Sequence, residues 1–169
     1  MSRFIEIAPE AIRENLFHLI GKEWMLITAG QPQDFNTMTA SWGGAGVMWN
    51  APCAAAVVRP SRHTYGFMER EEYYTLSFLG EQHRAALQLC GRVSGRDTDK
   101  VAEAGLHPLF DAPAPYFEEA HLVLVCRKRY VSDLNPANFL DEAIATHYKN
   151  GDYHRLYLGE IVKVLQKSE

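Results

Sequence analysis

Residues 35–42 read FNTMTASW and alternate like a β-strand, but the polar positions carry short side chains where charged ones are usual. A strand with one buried face normally places long polar or charged residues between its apolar ones. The short donors and acceptors are Asn36, Thr37, Thr39 and Ser41, and Trp42 ends the stretch. Such a strand either pairs tightly with its neighbours or binds a flat polar ligand.

The composition is that of an ordinary globular chain. With 169 residues, 47% hydrophobic and 22% charged, the sequence predicts a single domain over residues 1–169 with its own core. The net charge of −4 favours neither a nucleic-acid partner nor a membrane surface. No apolar run reaches the roughly 18 residues that cross a bilayer, and the start MSRFIEIAPE lacks the apolar stretch of a secretory signal. We therefore expect a cytoplasmic protein without a membrane span.

The segment pattern favours a mostly β fold with minor helices. Strands are predicted over 24–30, 36–44, 53–59, 73–79, 121–133 and 153–166. Helices are predicted over 61–70, 82–90 and 97–105. The continuous apolar run 122–125 is typical of a strand that is covered on both faces. A small closed barrel removes exposed strand edges, and an open α+β sheet is the alternative.

Two predicted helices begin with the charge expected at a helix end. Arg59, Arg62 and His63 surround the first start, where Ser61 is the expected cap, and the acidic residues come at the other end. In SGRDTDK, residues 94–100, an arginine precedes the expected cap Asp97, and a lysine falls at the third helical position. Helix-start N–H groups, a hydroxyl and cationic side chains together make a site for an anion such as phosphate.

The alternative is a solvated surface. Asp97 and Asp99 would then neutralise the neighbouring cations, and Ser61 would only cap its helix. Neither stretch is a P-loop, and no GxGxxG follows a predicted strand, so the usual nucleotide-binding loops are not indicated.

Other site chemistries find little support in the sequence. Cys53, Cys90 and Cys126 are odd in number and form no CxxC, which predicts buried reduced thiols rather than disulfides. The seven histidines form no HExxH pair, so no metal site is expected. The absence of a GxSxG elbow argues against nucleophilic catalysis. These observations favour chemistry that a bound cofactor supplies.

Five motifs in order carry a family resemblance: NTMTASWGG, VVRPSRHTYGFM, YYTLSF, CGRVSGRDTDK and HRLYLGEI. Together they resemble the flavin reductase-like group of FMN-binding split-barrel proteins, which includes flavoredoxin and NAD(P)H:flavin oxidoreductase components. The resemblance runs from about residue 20 to residue 165. It implies a homodimer of Greek-key split β-barrels that binds FMN in a groove near the subunit interface.

The resemblance also implies which residues bind the cofactor. Those expected beside the isoalloxazine ring and ribityl chain are Asn36, Thr37, Thr39, Ser41 and Trp42. Those expected at the phosphate or its surroundings are Arg59, Ser61, Arg62, Thr64, Ser94, Gly95, Arg96 and Lys100. Thr39, Thr64 and Lys100 are the foremost candidates. No catalytic side chain is predicted, because hydride transfer to a flavin requires positioning more than proton shuttling.

The reaction has three interpretations. One is an enzyme that passes electrons from NADH or NADPH through FMN to a flavin, quinone, ferric or protein acceptor. Another is an electron carrier of the flavoredoxin type, which a redox protein reduces. A relative of pyridoxamine phosphate oxidase is the third, and SGRDTDK argues against it. Residues 134–152 match no motif, so substrate choice is open, and His154 and Tyr157 are placed either near the flavin or in the framework.

Overall fold

The computed structural model describes residues 4–168, in which a large antiparallel sheet is the dominant element. Its strands, with the short pair β7 and β8, are β1 (Phe4–Ile7), β2 (Met25–Gln31), β3 (Asp34–Ala40), β4 (Gly43–Met48), β5 (Ala51–Val58), β6 (Tyr73–Phe78), β7 (Pro108–Leu109), β8 (Tyr116–Phe117), β9 (Leu122–Asp133) and β10 (Arg155–Lys167). The helices are α1 (Leu16–His18), α2 (His63–Arg70), α3 (Arg84–Arg92) and α4 (Lys100–Glu103). The predicted mostly β fold with minor helices is confirmed.

The strands of the large sheet run in the order β3-β2-β6-β9-β10-β5-β4, and β1 adds to β10. Every pairing is antiparallel. The long strands β9 and β10 form its centre and pair from Gln166 with Leu122 to Arg155 with Asp133. Sequence neighbours β3 and β4 therefore lie at opposite ends of the strand order.

Two hydrophobic cores cover the sheet on its two faces. In β2, Ile27 packs into one core and Leu26 into the other. In β9, Leu124 belongs to the first core and Val123 to the second. Alternate side chains of a strand point to opposite faces, so a strand buried on both faces needs an unbroken apolar run. The prediction for residues 122–125 is confirmed.

The predicted strand 36–44 is wrong as one element, because the chain turns at Ser41 and Trp42 and divides it into β3 and β4. β3 pairs with β2, whereas β4 pairs with β5. Gly43 starts β4 with a φ of +151°, and a Cβ there would lie 2.6 Å from the Ala55 carbonyl oxygen. Glycine is therefore required where the chain crosses between the two ends of the sheet.

The helix starts also differ from the prediction. α2 begins at His63 with Arg62 in the capping position, so Ser61 is not the cap. α4 begins at Lys100, and the Asp99 carboxylate accepts from the Ala102 N–H, so Asp97 is not the cap and Lys100 is the first helical residue rather than the third. A turn from Ser94 to Asp97 takes the residues predicted as the start of this helix.

Two regions lie outside the predicted elements. β1 and the segment up to Glu23 had no assignment, and they contain α1, where the Asn15 side chain accepts from two backbone N–H groups. Residues 134–152 contain the 3₁₀ turns Pro136–Asn138 and Glu142–His147. Short elements of this kind depend on local capping, which leaves little periodicity in the sequence.

The cysteines are free and buried, as predicted. Cys126 lies on β9 beside the hydroxyl of Tyr74 and the backbone of Gly159 on β10. Tyr74 is fully buried and donates from its hydroxyl to the Ala54 carbonyl at 3.0 Å. This contact ties β6 to β5 through the core.

We expect Gly159→Ala to lower the free energy of unfolding by about 1–3 kcal/mol, the usual cost of overpacking a core. The added Cβ would lie 2.6 Å from the Tyr74 hydroxyl oxygen, and the buried ring has no space to move. Urea unfolding measures the change. Gly66→Ala is the matched control, because a Cβ there meets no atom within 4 Å and alanine favours the helix. Equal stability of the two variants would contradict the prediction.

Candidate functional site

The first polar strand and the first cationic motif are joined by a buried hydrogen bond. Asn36 on β3 donates from Nδ2 to Thr64 Oγ1 on α2 at 2.8 Å. Both side chains are buried. An unsatisfied buried amide would cost about 1–3 kcal/mol, so this bond sets the position of α2 against the end of the sheet.

The second cationic motif reaches the same place. A Cβ on Gly95 would lie 2.1 Å from Asn36 Oδ1 and 3.3 Å from the His63 ring, so only glycine lets the turn 94–97 approach. Within that turn the Arg96 N–H donates to Ser94 Oγ, and Arg96 Nη1 lies 3.4 Å from the Ser61 carbonyl oxygen. The two predicted anion-binding stretches therefore lie side by side.

A cleft in two parts opens beside these motifs. The cavities hold about 170 Å³ and about 370 Å³, and both are lined by the end of β3 and by Arg62. The shared lining residues are Thr39, Ala40, Ser41 and Arg62. The first cavity adds Met38, Trp42, Val57, Arg59 and His154, and the second adds Trp24, Leu87, Gln88, Gly91 and Arg92. Residues 38–42 of the polar stretch 35–42 thus form the floor of the cleft.

The threonines of β3 have different surroundings. Thr39 lies in the cleft, and its hydroxyl donates to the Leu87 carbonyl of α3. Thr37 is fully buried, and its hydroxyl bonds to Thr28 Oγ1 at 2.8 Å and to the Ile27 carbonyl at 3.2 Å. The structure brings Thr39 into the cleft and places Thr37 inside the sheet framework.

Four of the predicted cations around the cleft bond to backbone carbonyls. Arg59 donates to His147 O and Asp152 O, and Arg62 lies 3.4 Å from Cys90 O. Among residues 4–168, no carboxylate lies within 4 Å of a charged nitrogen of Arg59, Arg62, Arg96 or Lys100. The solvated-surface alternative required Asp97 and Asp99 to neutralise this cluster, and the geometry provides no such ion pair.

The acidic end of α2 is compensated locally. Glu69 pairs with Arg155 at 2.9 Å and accepts from the Tyr157 hydroxyl at 2.6 Å. Glu71 accepts from Gln31 at 2.8 Å and from Arg70. The charge mismatch at the helix end is thus resolved within the chain, whereas positive charge accumulates at the helix start. Tyr157 belongs to this framework.

The Lys100 side chain is directed to the end of α3 and not into the cleft. Only 3% of its surface is exposed, and Nζ donates to the carbonyls of Cys90 and Val93 at the C-terminal end of α3. Burial lowers its pKa to about 8, with a smaller contribution from the charge of Arg62. A cation at a helix C-terminus stabilises the unpaired carbonyls there. Lys100 therefore lies behind the cleft wall and contributes a positive field. Burial, together with the charges of Arg96 and Lys100, holds the pKa of His63 below its usual value.

The segment 147–152 covers the Arg59 end of the cleft. The Arg59 guanidinium lies 4.9 Å from the centre of the Tyr148 ring, and its two terminal nitrogens donate to His147 O and Asp152 O. The Asp152 carboxylate accepts from both the N–H and the hydroxyl of Ser61. Ser61 thus binds an anion, but the anion belongs to the chain itself.

His154 is part of the cleft wall. It is 8% exposed, lies 5.0 Å from the Trp42 ring centre, and bonds through Nδ1 to the Tyr148 hydroxyl at 2.7 Å. Burial lowers its pKa to about 4, the charge of Arg59 adds to this effect, and Asp152 opposes it. His154 is therefore a neutral imidazole at pH 7, with a fixed hydrogen-bond partner.

The site residues that sequence reasoning missed come from α3 and from the unassigned segment 134–152. Gly91 and Arg92 line the second cavity, and Asp152 and Tyr148 bond to Ser61 and His154, respectively. Helical spacing in α3 gave no sign that its C-terminal turn faces β3. The GD pair before the last motif, residues 151 and 152, was the available signal, because a glycine with a φ of +69° marks a tight turn next to the site.

Two further properties concern the described part of the chain only. No group of three or more His, Cys, Asp or Glu side chains between residues 4 and 168 is arranged to hold a metal ion. No helix in that range is long and apolar enough to cross a membrane.

We expect the His154 imidazole to stay neutral from pH 8 to pH 5.5, because its folded pKa is about 4. Its ring-carbon NMR signal should therefore stay constant over that range. The control within the same sample is His107, whose pKa is raised from its usual 6.5 by its hydrogen bond to Glu119. The NMR signal of His107 should therefore shift within this pH range as the imidazole binds a proton. The unfolded chain binds a proton at His154 between pH 6.5 and 4, so folding stability falls as pH decreases through that window. A His154 signal that moves together with that of His107 would contradict this assignment.

The fold has known counterparts. An FMN-binding domain of a flavin reductase-like enzyme from Shewanella baltica has a TM-score of 0.70 at 15% identity, over 98% of this chain and 78% of that one. Flavoredoxin from Methanosarcina acetivorans has a TM-score of 0.65 at 20% identity, over 95% and 73%. The NADH:FAD oxidoreductase of Streptomyces globisporus, solved with NAD and FAD fragments, has a TM-score of 0.63 at 15% identity, over 86% and 77%. These likenesses confirm the predicted split-barrel fold.

A search of curated proteins gives no match. The family model described as a flavin reductase-like domain, however, matches residues 17–169, which is most of the chain and includes β3, both cationic turns and the cleft wall at His154. The chain belongs to the flavin reductase-like domain family.

Proposed function

We propose that this protein binds FMN in the cleft and is an NAD(P)H-dependent oxidoreductase that passes electrons through the flavin to a flavin, quinone, ferric or protein acceptor. The observation that carries the proposal is the cluster of cations beside a polar cleft floor, with carbonyl partners and no ion pair among the described residues. A phosphorylated ligand supplies the negative charge that this arrangement lacks.

The residues present fit such a ligand. A flat ring would be held by Trp42 and by the short side chains of Thr39 and Ser41, which let the backbone approach closely. A phosphate would be held by Arg62 and Arg96, whose guanidinium lies next to the Ser61 carbonyl oxygen, and by Ser61 only where the Asp152 carboxylate leaves it. The close approach of Gly95 to Asn36 holds the two turns together. The predicted binding residues that reach the cleft would serve either the ring or the tail, whereas Thr37 lies in the sheet framework and Lys100 lies behind the cleft wall.

The bound flavin supplies hydride and electron transfer. The residues of the chain would orient the flavin and stabilise its charge. Ser41 would offer its hydroxyl to the polar edge of the ring, whereas Thr39 would offer only an acceptor there, because its hydroxyl donates to the Leu87 carbonyl. The field of Arg62 and Arg59 would favour the negative charge that reduction creates. His154 is neutral at pH 7 and bonded to Tyr148, so it positions the ring side of the cleft without adding a charge.

A second candidate is an FMN electron carrier that is reduced by a redox protein and not by a nicotinamide. It is favoured by one observation: His147 and His154 both lie 5.0 Å from the Trp42 ring centre, one of them edge-on. The segment 134–152 therefore covers the region beside Trp42 and narrows the approach of a second planar ring.

The experiment adds FMN to the purified protein and then mixes it with NADH or NADPH without oxygen. We expect a yellow protein whose flavin absorbance near 450 nm bleaches rapidly, on the order of once per second or faster, as for enzymes of ordinary turnover. Slow bleaching with NADH and NADPH, together with rapid bleaching by a reduced redox protein, would support the carrier instead. A colourless protein that binds no flavin at high added FMN would contradict both candidates.

The matched variants test whether the cationic cluster binds the tail. Arg96→Gln should weaken FMN binding by about 1.5–3 kcal/mol, the value of a hydrogen bond to a charged group, and should affect riboflavin little. Arg13→Gln removes the same charge from an exposed position in the N-terminal segment and should leave both affinities unchanged. Equal loss of FMN and riboflavin binding in Arg96→Gln would remove this residue from the tail site.

We also propose that the protein is a homodimer. Large apolar side chains are exposed on β4, in the turn that follows it and on β9. Val47 on β4 is 74% exposed, Trp49 in the turn is 53% exposed, and the Trp49 and Tyr130 ring centres lie 6.4 Å apart. Contiguous exposed apolar surface of this kind marks an interaction site, and an edge strand such as β4 is open to pairing.

In light scattering after size exclusion, we expect twice the chain mass of 19.1 kDa. Val47→Glu should give a monomer, because a buried unpaired charge opposes association. Arg13→Glu is the control for a new carboxylate at an exposed polar position. A wild-type monomer at high concentration would overturn the dimer and leave the flavin proposal standing.

A further inference from the structure

Asp152 holds the position at Ser61 that an anionic ligand tail would take. Its Oδ1 lies 3.3 Å from the Ser61 N–H nitrogen, and its Oδ2 accepts from the Ser61 hydroxyl. A carboxylate with two donors at the edge of a cationic cluster uses the same contacts that bind a phosphate.

The contact is built into the fold and is not a chance meeting of side chains. The turn before Asp152 closes with a hydrogen bond from the Gly151 N–H to the Tyr148 carbonyl, and Gly151 has a φ of +69°. Arg59 Nη1 donates to the Asp152 carbonyl oxygen at 3.0 Å, which fixes the backbone from which the carboxylate projects. The carboxylate itself is directed to Ser61, and the side chain is only partly exposed.

A phosphate and the Asp152 carboxylate cannot both bind Ser61 at low cost. Two negative charges a few ångströms apart repel each other even at the effective dielectric of a protein surface. The ligand tail must therefore displace Asp152 or bind with a weaker set of donors from Arg62 and Arg96. In both cases the carboxylate reduces the advantage of a phosphorylated tail, whereas a neutral tail avoids the charge repulsion.

We propose that Asp152 is a specificity-determining residue of the cleft, which sets how strongly the protein prefers a flavin with a tail phosphate over one without. The inference rests on the proposed flavin function and names the chemistry that it discriminates: a dianionic tail against a neutral hydroxyl. Asp152 acts through Ser61 and does not contact the reacting ring.

The test compares the dissociation constants of FMN and riboflavin for the wild type and Asp152→Asn, each measured by quenching of flavin fluorescence. Asparagine keeps an acceptor for the Ser61 N–H and offers a donor to its hydroxyl, so the turn is retained without the charge. We expect FMN to bind about tenfold more tightly to Asp152→Asn, with riboflavin changed less than about twofold, since removal of a repulsion of about 1.4 kcal/mol gives a factor of ten.

Glu142→Gln is the matched control. It removes the same charge from an exposed position in the same segment and should leave the ratio of FMN to riboflavin affinity as in the wild type. Circular dichroism melting confirms that the three proteins are folded at the titration temperature. An unchanged ratio in Asp152→Asn, or an equal change in Glu142→Gln, would overturn the inference and leave the flavin function standing. No binding of either flavin by any of the three proteins would overturn the proposed function and this inference with it.

Discussion

The hydrogen bond from Asn36 to Thr64 is the interaction on which the cleft depends. It joins the end of β3 to the start of α2, and Gly95 brings the turn 94–97 against the same Asn36 side chain. Because one buried amide contacts both cationic turns, its geometry decides whether the cations of the two turns lie together. Either turn alone would be an ordinary exposed loop, and the positive field arises from their proximity.

Much of the fold and the framework of the site could be predicted from the sequence. Continuous apolar positions in β9 identify a strand buried on both faces, and the short polar residues of β3 and the cations before α2 identify the cleft. What could not be predicted depends on tertiary geometry. The turn at Ser41 follows from β3 and β4 pairing at opposite ends of the sheet, and the cap at Asp99 displaces an equally good local candidate, Asp97.

Lys100 is a second residue whose role depends on tertiary geometry that the local sequence does not record. A lysine near a helix start and next to a cationic motif suggests a direct ligand contact, but the ammonium bonds to the last carbonyls of α3. That role requires α3 to end beside the start of α4, which no local pattern records. Lysine is a residue type that is usually exposed to solvent, but Lys100 is almost wholly buried. Its charge therefore acts on the cleft through its electric field rather than through direct contact.

The wall formed by residues 147–154 connects the framework to the chemistry. Arg59 contacts three parts of this wall, through the carbonyls of His147 and Asp152 and through the Tyr148 ring. Arg59 directly follows β5, which pairs with β10, and His154 immediately precedes the first paired residue of β10. If this wall moved away from Ser61, the Arg59 contacts would break and His147 would move away from Trp42 at the same time. Arg59 thus links the Ser61 side of the cleft to the Trp42 side through a single guanidinium.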